Sequence, residues 1–424
     1  MSIYDVAVVG RGAIGLTAAL AFARAGRRVA LVGPEPAGAP AAPASVLVRT
    51  PTPAADPLVW DSRVYALSPA SRKLLTDLGA WQLMDPARLA PVHDMRLFHL
   101  HGGARGRPEV HLDAYRGRVE ALAWIVENRQ LQRALERSLA VTVSREKLVH
   151  VHEEVEGLTL PPVPHEPGAA SLALKGGGRL TAALVVAADG TGSRLRDLAG
   201  VGHVVQDLRQ TAVVANFETS RPHRDCAWQW FGDFGVVALL PLASDDLGYG
   251  TGRVSLVWAA SPDDAARALR EPPGLLAAEV QAMTQGKLGE LRPITPPGAF
   301  ALRSVRCREV IRPSFVLIGD AAHAIHPMAG QGMNLGFGDV AGLVQHVIVP
   351  GSVGPSARAP DWFDLRRYER SRREPVAVMQ LALEGLHRAF GELPAPLAGL
   401  RDVGWSVVAR SPWLRRRMIE HAVS

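Results

Sequence analysis

Apolar positions at the start of the chain fall into two strand-like runs around one helix-like run. Val6 to Val9 is β-branched and small, Gly10 to Gly15 is a glycine-rich turn, and Leu16 to Ala25 is an Ala/Leu-rich helix closing at Gly26. Arg28 to Val32 is a second strand. Strand, turn, helix and strand within about 30 residues make a βαβ unit, whose crossover is right-handed and whose strands are parallel. Pro34 to Pro57 is rich in Ala and Pro without periodicity and is read as an exposed loop. Arg63 to Trp81 is helical in its later part. Ala121 to Leu139 predicts one helix, because Leu122, Ile125, Val126, Leu131, Leu135 and Leu139 recur near one face.

Further along, Pro161 to Gly168 is a turn-rich break and Leu180 to Ala188 a strand that ends at Asp189-Gly190. Thr211 to Phe217, Val236 to Pro241 and Val254 to Trp258 read as strands of a second sheet, and Asp263 to Ala268 and Leu275 to Met283 as helices. Phe315 to Ile318 is an apolar strand that runs into Gly319-Asp320. A helix from Gly332 to His346 follows a second glycine-rich turn, and Arg366 to Phe390 is the longest helix, which Pro375 should kink or end. No repeat of solenoid length is visible.

Composition narrows the class. The 424 residues suffice for two or three structural units, and 47% hydrophobic with 21% charged residues is ordinary for a globular protein. The net charge of +6 comes from arginines scattered among acids, so nucleic acid is not the expected partner. The run Arg415-Arg416-Arg417 beside Trp413 is a local exception, and with Trp405 it is a candidate membrane-surface or protein contact. Two cysteines, Cys226 and Cys307, make neither a disulfide framework nor a metal cluster, so no metal is expected. No signal-like leader and no apolar run of about 18 residues is present, which predicts a cytoplasmic protein, or one peripheral on the inner membrane.

The chemistry lies in three motifs. In Gly10-Arg11-Gly12-Ala13-Ile14-Gly15, Gly10 permits the tight turn, Gly12 the close approach of a phosphate, and Gly15 the packing of helix on strand. The helix N-terminus then presents backbone N–H groups to a pyrophosphate. The acid expected at the end of the second strand is replaced by Gly33, and Glu35 is either its substitute or an exposed loop acid. Asp189-Gly190 and Gly319-Asp320 each end a strand, where an acid accepts hydrogen bonds from sugar or ribityl hydroxyls or caps a turn. The turn Gly330-Gln331-Gly332-Met333-Asn334 opens a second helix, whose N-terminus suits negative charge on a ring.

Together these motifs resemble the class A flavoprotein monooxygenases with the p-hydroxybenzoate hydroxylase fold, and within them the ubiquinone-biosynthesis hydroxylases. Asp61 through Ser68, Ile125 through Arg129, Leu239 through Leu242, Gly319 through Asn334 and Arg366 through Arg373 carry the resemblance, which spans nearly the whole chain. It implies an α/β fold: a Rossmann-like FAD-binding domain, an inserted β-sheet substrate domain and a C-terminal helical segment. The expected boundaries are 1–80, 121–207 and 302–350 for the FAD-binding domain, 81–120 and 208–301 for the substrate domain, and 351–424 for the helices.

The resemblance also implies roles. Gly10, Gly12, Ala13, Ile14 and Gly15 would hold the pyrophosphate of a tightly bound FAD. Arg63 and Arg129 would approach its phosphates or ribose, and Gly319-Asp320 its ribityl or ribose part. Gly330, Gly332, Met333 and Asn334 would place N–H groups by the pyrimidine ring, and Pro327 would lie near the flavin. Asp189 and Gly190 are associated in such enzymes with FAD and with NAD(P)H, which binds transiently. NAD(P)H would reduce the flavin and one atom of O2 would enter an electron-rich aromatic ring. His323 and His326 adjoin the tight turn, where a packing or capping role competes with a catalytic one, and no catalytic base is named. Trp228, Trp230, Phe231 and Leu239 are the candidate walls of a pocket for a prenylated phenol, or else core. Trp230 stands where relatives more often carry Arg. A small soluble phenol as substrate, or an FAD-binding accessory subunit of a quinone-biosynthesis complex, are the competing readings.

Overall fold

The computed structural model describes residues 3–34, 60–100, 109–144, 146–162, 168–244, 250–326, 330–348 and 361–391, with 405–407, 409, 411 and 418–420 beyond them. The loop from Glu35 to Pro57, the break at 163–167, Pro327 and the run Trp413 to Arg417 lie outside the described residues.

In chain order the first elements are β1 (Ile3–Val9), α1 (Ala13–Arg24), β2 (Val29–Val32), β3 (Val64–Leu67), α2 (Pro69–Asp77), β4 (Ala90–Val92), β5 (Asp94–His99), β6 (Val110–Asp113) and α3 (Ala114–Gly117). Next come β7 (Ala123–Glu127), α4 (Asn128–Thr142), β8 (Leu148–Val151), β9 (Val155–Thr159), β10 (Ala170–Leu174), β11 (Arg179–Ala187) and α5 (Arg194–Leu198). The second sheet follows with β12 (His203–Thr219), β13 (Cys226–Gly232), β14 (Gly235–Leu242), β15 (Gly252–Ala260), α6 (Pro262–Arg270), α7 (Pro273–Met283), β16 (Leu291–Pro293) and β17 (Gly298–Cys307). The chain closes with β18 (Ile311–Arg312), β19 (Phe315–Leu317), β20 (His323–Ala324), α8 (Gln331–Val347) and α9 (Trp362–Gly391).

The first sheet runs β18-β19-β11-β1-β2-β8, with β1 parallel to both β2 and β11, and β11 parallel to β19. Its strands read as unbroken apolar runs because both faces are covered. Val6, Val8, Leu184 and Val186 meet α1, α4 and α8, while Ala7, Val9, Val185 and Ala187 meet Leu195 of α5 and Leu172.

The single helix expected over Ala121–Leu139 is a strand followed by a helix. In β7 the side chains alternate: Ile125 enters one core, Trp124 and Val126 the other. The 3.6-residue period starts only at Asn128, from which Leu131, Leu135 and Leu139 face the sheet. Leu122, Ile125 and Val126 fall close to the helical spacing of Leu131, Leu135 and Leu139, so the change of period was hidden. Pro375 does not end α9; the helix runs through it to Gly391, with the exposed ring on its solvent side.

The second sheet runs β20-β17-β12-β15-β14-β13-β5-β6, with β16 on β12. Strand β12 starts before residue 208 and β17 crosses the expected boundary at 301/302, so the substrate sheet reaches further than the sequence expectation. Its strands alternate cleanly between two faces. Val213, Ala215, Val237, Leu239, Leu256 and Trp258 sit under α6 and α7, and Ala212, Phe231, Val236, Leu242, Ala259 and Leu302 face the other half of the molecule. A small sheet, β3-β7-β4, lies at the junction.

Candidate active site

Register puts the ends of four parallel strands on one line: Val32, Val9, Ala187 and Leu317 are neighbours in turn. Three backbone bonds continue the line past the strands, Gly10 N to Val32 O at 2.9 Å, Ala188 N to Val9 O at 2.7 Å and Ile318 N to Ala187 O at 3.0 Å. The three motifs that lie far apart in sequence therefore stand side by side.

Gly10 has φ +117°, and a Cβ there would overlap the carbonyl oxygen of Ala188. A Cβ on Gly15 would overlap the carbonyl oxygen of Gly10. Gly12 is the opposite case: it is the N-cap of α1, is exposed, and a Cβ there would meet nothing within 4 Å. No acid occupies the first turn of α1 and no side chain caps it. An uncapped helix N-terminus facing open space fits a diphosphate.

The missing acid of the second strand coincides with a backbone that side chains rarely adopt. Gly33 has φ +150°, and a Cβ there would come within 3.2 Å of Arg11 Cγ. Arg11 covers this corner and reaches His150, Nη1 to Nδ1 at 3.2 Å. Glu35 lies outside the described residues.

Asp320 is accessible to solvent, yet burial raises its carboxyl above the ordinary value of 3.8 against the pull of the His323 and Arg63 charges. An accessible side chain surrounded by protein lines a deep cleft. Arg63 stands over the Tyr65 ring at 5.6 Å, and burial likewise raises the Tyr65 phenol. Asp61 organises this wall: its carboxylate accepts from the N–H groups of Arg63 and Arg129, both at 3.0 Å, and pairs with Arg129 Nε at 3.5 Å. Glu127 accepts from the Asp61 N–H at 2.7 Å and forms a forked pair with Arg88, 2.7 Å on each arm. Asp61 and Glu127 were not singled out from sequence, although both lie inside the segments that carry the resemblance.

Several expected contacts are redirected. The Asp189 carboxylate is committed to its own loop, accepting from Ser193 Oγ at 2.6 Å and the Leu195 N–H at 3.1 Å. Arg196, buried and unforeseen, bonds the Thr191 carbonyl at 3.0 Å and the Ala321 carbonyl at 3.1 Å, so it staples the second motif to the third. Ile14 points its side chain at Gly319 and Gly336. Asn334 donates to the Ala66 carbonyl at 2.9 Å and accepts from the Ser68 N–H at 2.9 Å and Ser71 Oγ at 2.8 Å. Its side chain locks α8 to the β3–α2 link, leaving its backbone at the helix N-terminus. Gly330, with φ +63°, is the N-cap there, Gly332 and Met333 are half-buried, and no acid lies in the first turn. Gly190 is half-buried with open space at its Cβ.

Both histidines have partners: His326 Nε2 lies 2.7 Å from Gln210 Oε1, and His323 Nε2 donates to Asp339 Oδ2 at 2.6 Å. Burial alone would lower the His323 pKa, but the Asp339 carboxylate raises it.

The expected pocket walls divide by alternation. Trp230 and Leu239 are fully buried beneath α6 and α7, and Trp228 stacks on Phe98 on the same face, at 6.0 Å. Trp230 and Leu239 are core, Trp228 is half-buried against it, and all three lie on the face away from the motifs. Phe231 alone of the four points to the other face, where Trp405 meets it edge-on at 5.9 Å. Trp405 is 7% exposed, so it is not a surface contact. On that face Ala238, Leu240, Val257 and Phe300 stay half-buried in the middle of the sheet, and Ile325 packs beside them from the segment after Asp320. Ala238 and Leu240 belong to the strand Val236 to Leu240 that the sequence already offers as an apolar wall, whereas Val257, Phe300 and Ile325 were missed because each strand contributes one or two and no local motif marks them.

The FAD binding domain family matches residues 3–350. The chain belongs to this family. Ubiquinone hydroxylase UbiL of Rhodospirillum rubrum is 30% identical over 99% of this chain and 89% of its own length. The 3-demethoxyubiquinol 3-hydroxylase of Escherichia coli is 30% identical over 99% of this chain and 98% of its own. The human mitochondrial ubiquinone biosynthesis monooxygenase COQ6 is 27% identical over 95% of this chain and 89% of its own. Among solved structures, p-nitrophenol 4-monooxygenase PnpA of Pseudomonas putida shares the fold with TM-score 0.72 at 17% identity, over 100% of this chain and 98% of that one. With these relatives the α/β fold expected from sequence and the FAD cofactor stand. Among the described residues no helix is long and apolar enough to cross a membrane, and no cluster could hold a metal ion.

Proposed function

We propose that the chain is an FAD-dependent monooxygenase that uses NAD(P)H and O2 to hydroxylate the ring of a polyprenyl phenol in ubiquinone biosynthesis. The observation that carries the reading is the line of Gly10–Gly15, Ala188–Gly190 and Gly319–Asp320 at adjacent strand ends. Near-full-length similarity to two named ubiquinone hydroxylases supports the substrate class.

When bound, FAD supplies the redox step and the reaction with O2 that side chains cannot perform. Overall, two electrons and two protons from NAD(P)H and solvent, one O2 and one aromatic C–H become NAD(P)+, one water and one phenolic C–OH. The chain's part is to bind, orient and exclude water. N–H groups of Gly12, Ala13 and the rest of the first turn of α1 hold the diphosphate. Asp320 accepts from ribityl hydroxyls, and Arg63 and Arg129 face the phosphate and ribose side, held by Asp61. The N-terminus of α8 at Gly332, Met333 and Asn334 offers N–H groups to the pyrimidine edge. Ala238, Leu240, Val257, Phe300 and Ile325 form the apolar, water-excluding wall for the aromatic ring. NAD(P)H binds transiently. The FAD unit comprises 1–80, 121–207 and 302–350 apart from the strands that join the substrate sheet, and the basic C-terminal stretch provides contact with a membrane surface or a partner complex.

The test is turnover of a prenylated phenol in detergent with NADH or NADPH under isotopically labelled O2. Incorporation of one labelled oxygen into the ring is expected. Labelled product from a small phenol but not from the prenylated one replaces the substrate class. A yellow protein that oxidises NAD(P)H with neither overturns the enzymatic reading in favour of an accessory subunit.

A further inference from the structure

Asp339 sits on α8, is 1% exposed, and is used by none of the roles above. Its Oδ2 accepts from the Gly319 N–H at 2.9 Å and from His323 Nε2 at 2.6 Å, and its Oδ1 accepts from Arg372 Nε at 2.9 Å. Those three partners come from different parts of the molecule. Gly319 precedes Asp320 at the end of β19. His323 lies on β20, which pairs with β17 of the substrate sheet through Arg306. Arg372 comes from the C-terminal helix α9.

The approach of Arg372 is shaped by glycines. Gly338 and Gly342 lie one turn apart on α8, and a Cβ on Gly338 would come within 2.7 Å of Arg372 Nη2, one on Gly342 within 3.2 Å of its Cδ. The arginine stem therefore lies in a groove that only missing side chains provide. At its end the guanidinium also donates to the Leu335 carbonyl at 3.1 Å. Tyr368, fully buried one turn earlier on α9, fills the same groove.

We infer that Asp339 is a positioning residue for the flavin, and that docking of α9 through Arg372 sets the affinity for FAD. A buried carboxylate that accepts from the Gly319 N–H fixes the backbone from which Asp320 projects into the cleft. Arg372 and His323 neutralise that carboxylate, since a buried charge without a partner is expelled or protonated. Loss of Arg372 weakens the hold on Gly319 and lets Asp320 swing from its productive position. The C-terminal helix, remote from the motifs in sequence, is thereby coupled to cofactor binding, and by reciprocity FAD favours the docked helix. This rests on the flavin reading of the site.

The test is FAD titration of the full-length apo-protein, followed by flavin fluorescence quenching and by the visible absorption of the saturated form. Arg372→Ala is expected to weaken FAD binding at least about tenfold and to shift the bound spectrum, with Arg372→Lys, which keeps the charge but not the fork that serves both Asp339 and Leu335, restoring only part of the affinity. Gly338→Ala, whose Cβ displaces the guanidinium, is expected to weaken FAD several-fold while the apo-protein stays folded, the gain in helix propensity offsetting part of the lost pairing. The inference is overturned if Arg372→Ala binds FAD with unchanged affinity and spectrum. It is also overturned if Arg372→Ala is unfolded while Gly338→Ala and Arg372→Lys bind like the wild type. Failure of the wild type itself to bind FAD removes the flavin reading instead, and so is distinguishable.

Discussion

The two sheets of this molecule handle chemistry in opposite ways. In the parallel sheet, the proposed cofactor site sits where strands stop: Gly10, Ala188 and Gly319 continue one line of backbone, and what the site offers is N–H groups, tight turns and the accessible Asp320. In the antiparallel sheet, the proposed substrate wall sits in the middle of strands, on whichever face alternation turns toward the first half. Trp230 and Phe231 are adjacent in sequence and belong to different cores. A backbone site tolerates almost no change at a few positions, whereas a side-chain wall can be resurfaced residue by residue. One framework can thus keep its cofactor while its substrate varies.

The largest expected break in this contrast is Gly15→Val. Its Cβ collides with the Gly10 carbonyl oxygen, a backbone atom that cannot swing aside. A loss on the order of 3 to 5 kcal/mol is expected, read as a lower melting temperature of the apo-protein together with loss of FAD. On the other sheet, Trp230→Ala should cost about 3 to 5 kcal/mol by emptying core volume, with little change in KM for substrate by steady-state kinetics. Leu240→Ala should do the reverse, costing about 1 kcal/mol of stability while raising KM severalfold. If Trp230→Ala shifts KM more than Leu240→Ala does, the assignment of faces is wrong.

Asp339→Asn probes the junction between the sheets. The His323 pKa is raised above 6.5, so its share of stability is full below that value and lost as pH rises through the folded pKa. The Asp339 carboxyl, which burial alone would raise, is held below 3.8 chiefly by the His323 charge; its share is present above 3.8 and lost as pH falls through the folded pKa. The stability difference between wild type and Asp339→Asn should therefore peak near pH 5 at about 3 kcal/mol and shrink toward both extremes, measured by denaturant unfolding across pH. A difference that grows steadily above neutrality would contradict the pairing. The smallest effect concerns the cysteines: burial pushes Cys226 up to about 12 and Cys307 up to about 11, so neither should react appreciably with a thiol reagent in the native protein at neutral pH.

Legibility from sequence follows the same division. The βαβ unit, the helix α8 and the strand ends at Asp189 and Asp320 were readable, because each is a contiguous run punctuated by glycine. The switch from β7 to α4 was not, because the buried residues of the strand fall nearly in phase with the apolar stripe of the helix and the period changes without a turn. Asp61, Glu127, Arg196 and Asp339 escaped for another reason: each acts through partners distant in sequence, such as Arg196 on Ala321, which no local pattern announces. The wall of Ala238, Leu240, Val257 and Phe300 needed the register of four strands before its face could be known. Gly33 was visible as a departure, but its positive φ and the Arg11 side chain lying across that corner needed coordinates.

The joint grip of the strand ends on one cofactor is tested most directly by counting flavin per chain in purified wild type and in Gly12→Asp. The Gly12 side faces open space, so the aspartate should leave the fold and melting temperature of the apo-protein intact while placing a negative charge where the diphosphate must lie. One FAD per wild-type chain, and a folded, colourless variant, are the predicted results. A Gly12→Asp protein that still carries one FAD, or a wild type that cannot be loaded with it, would contradict the account.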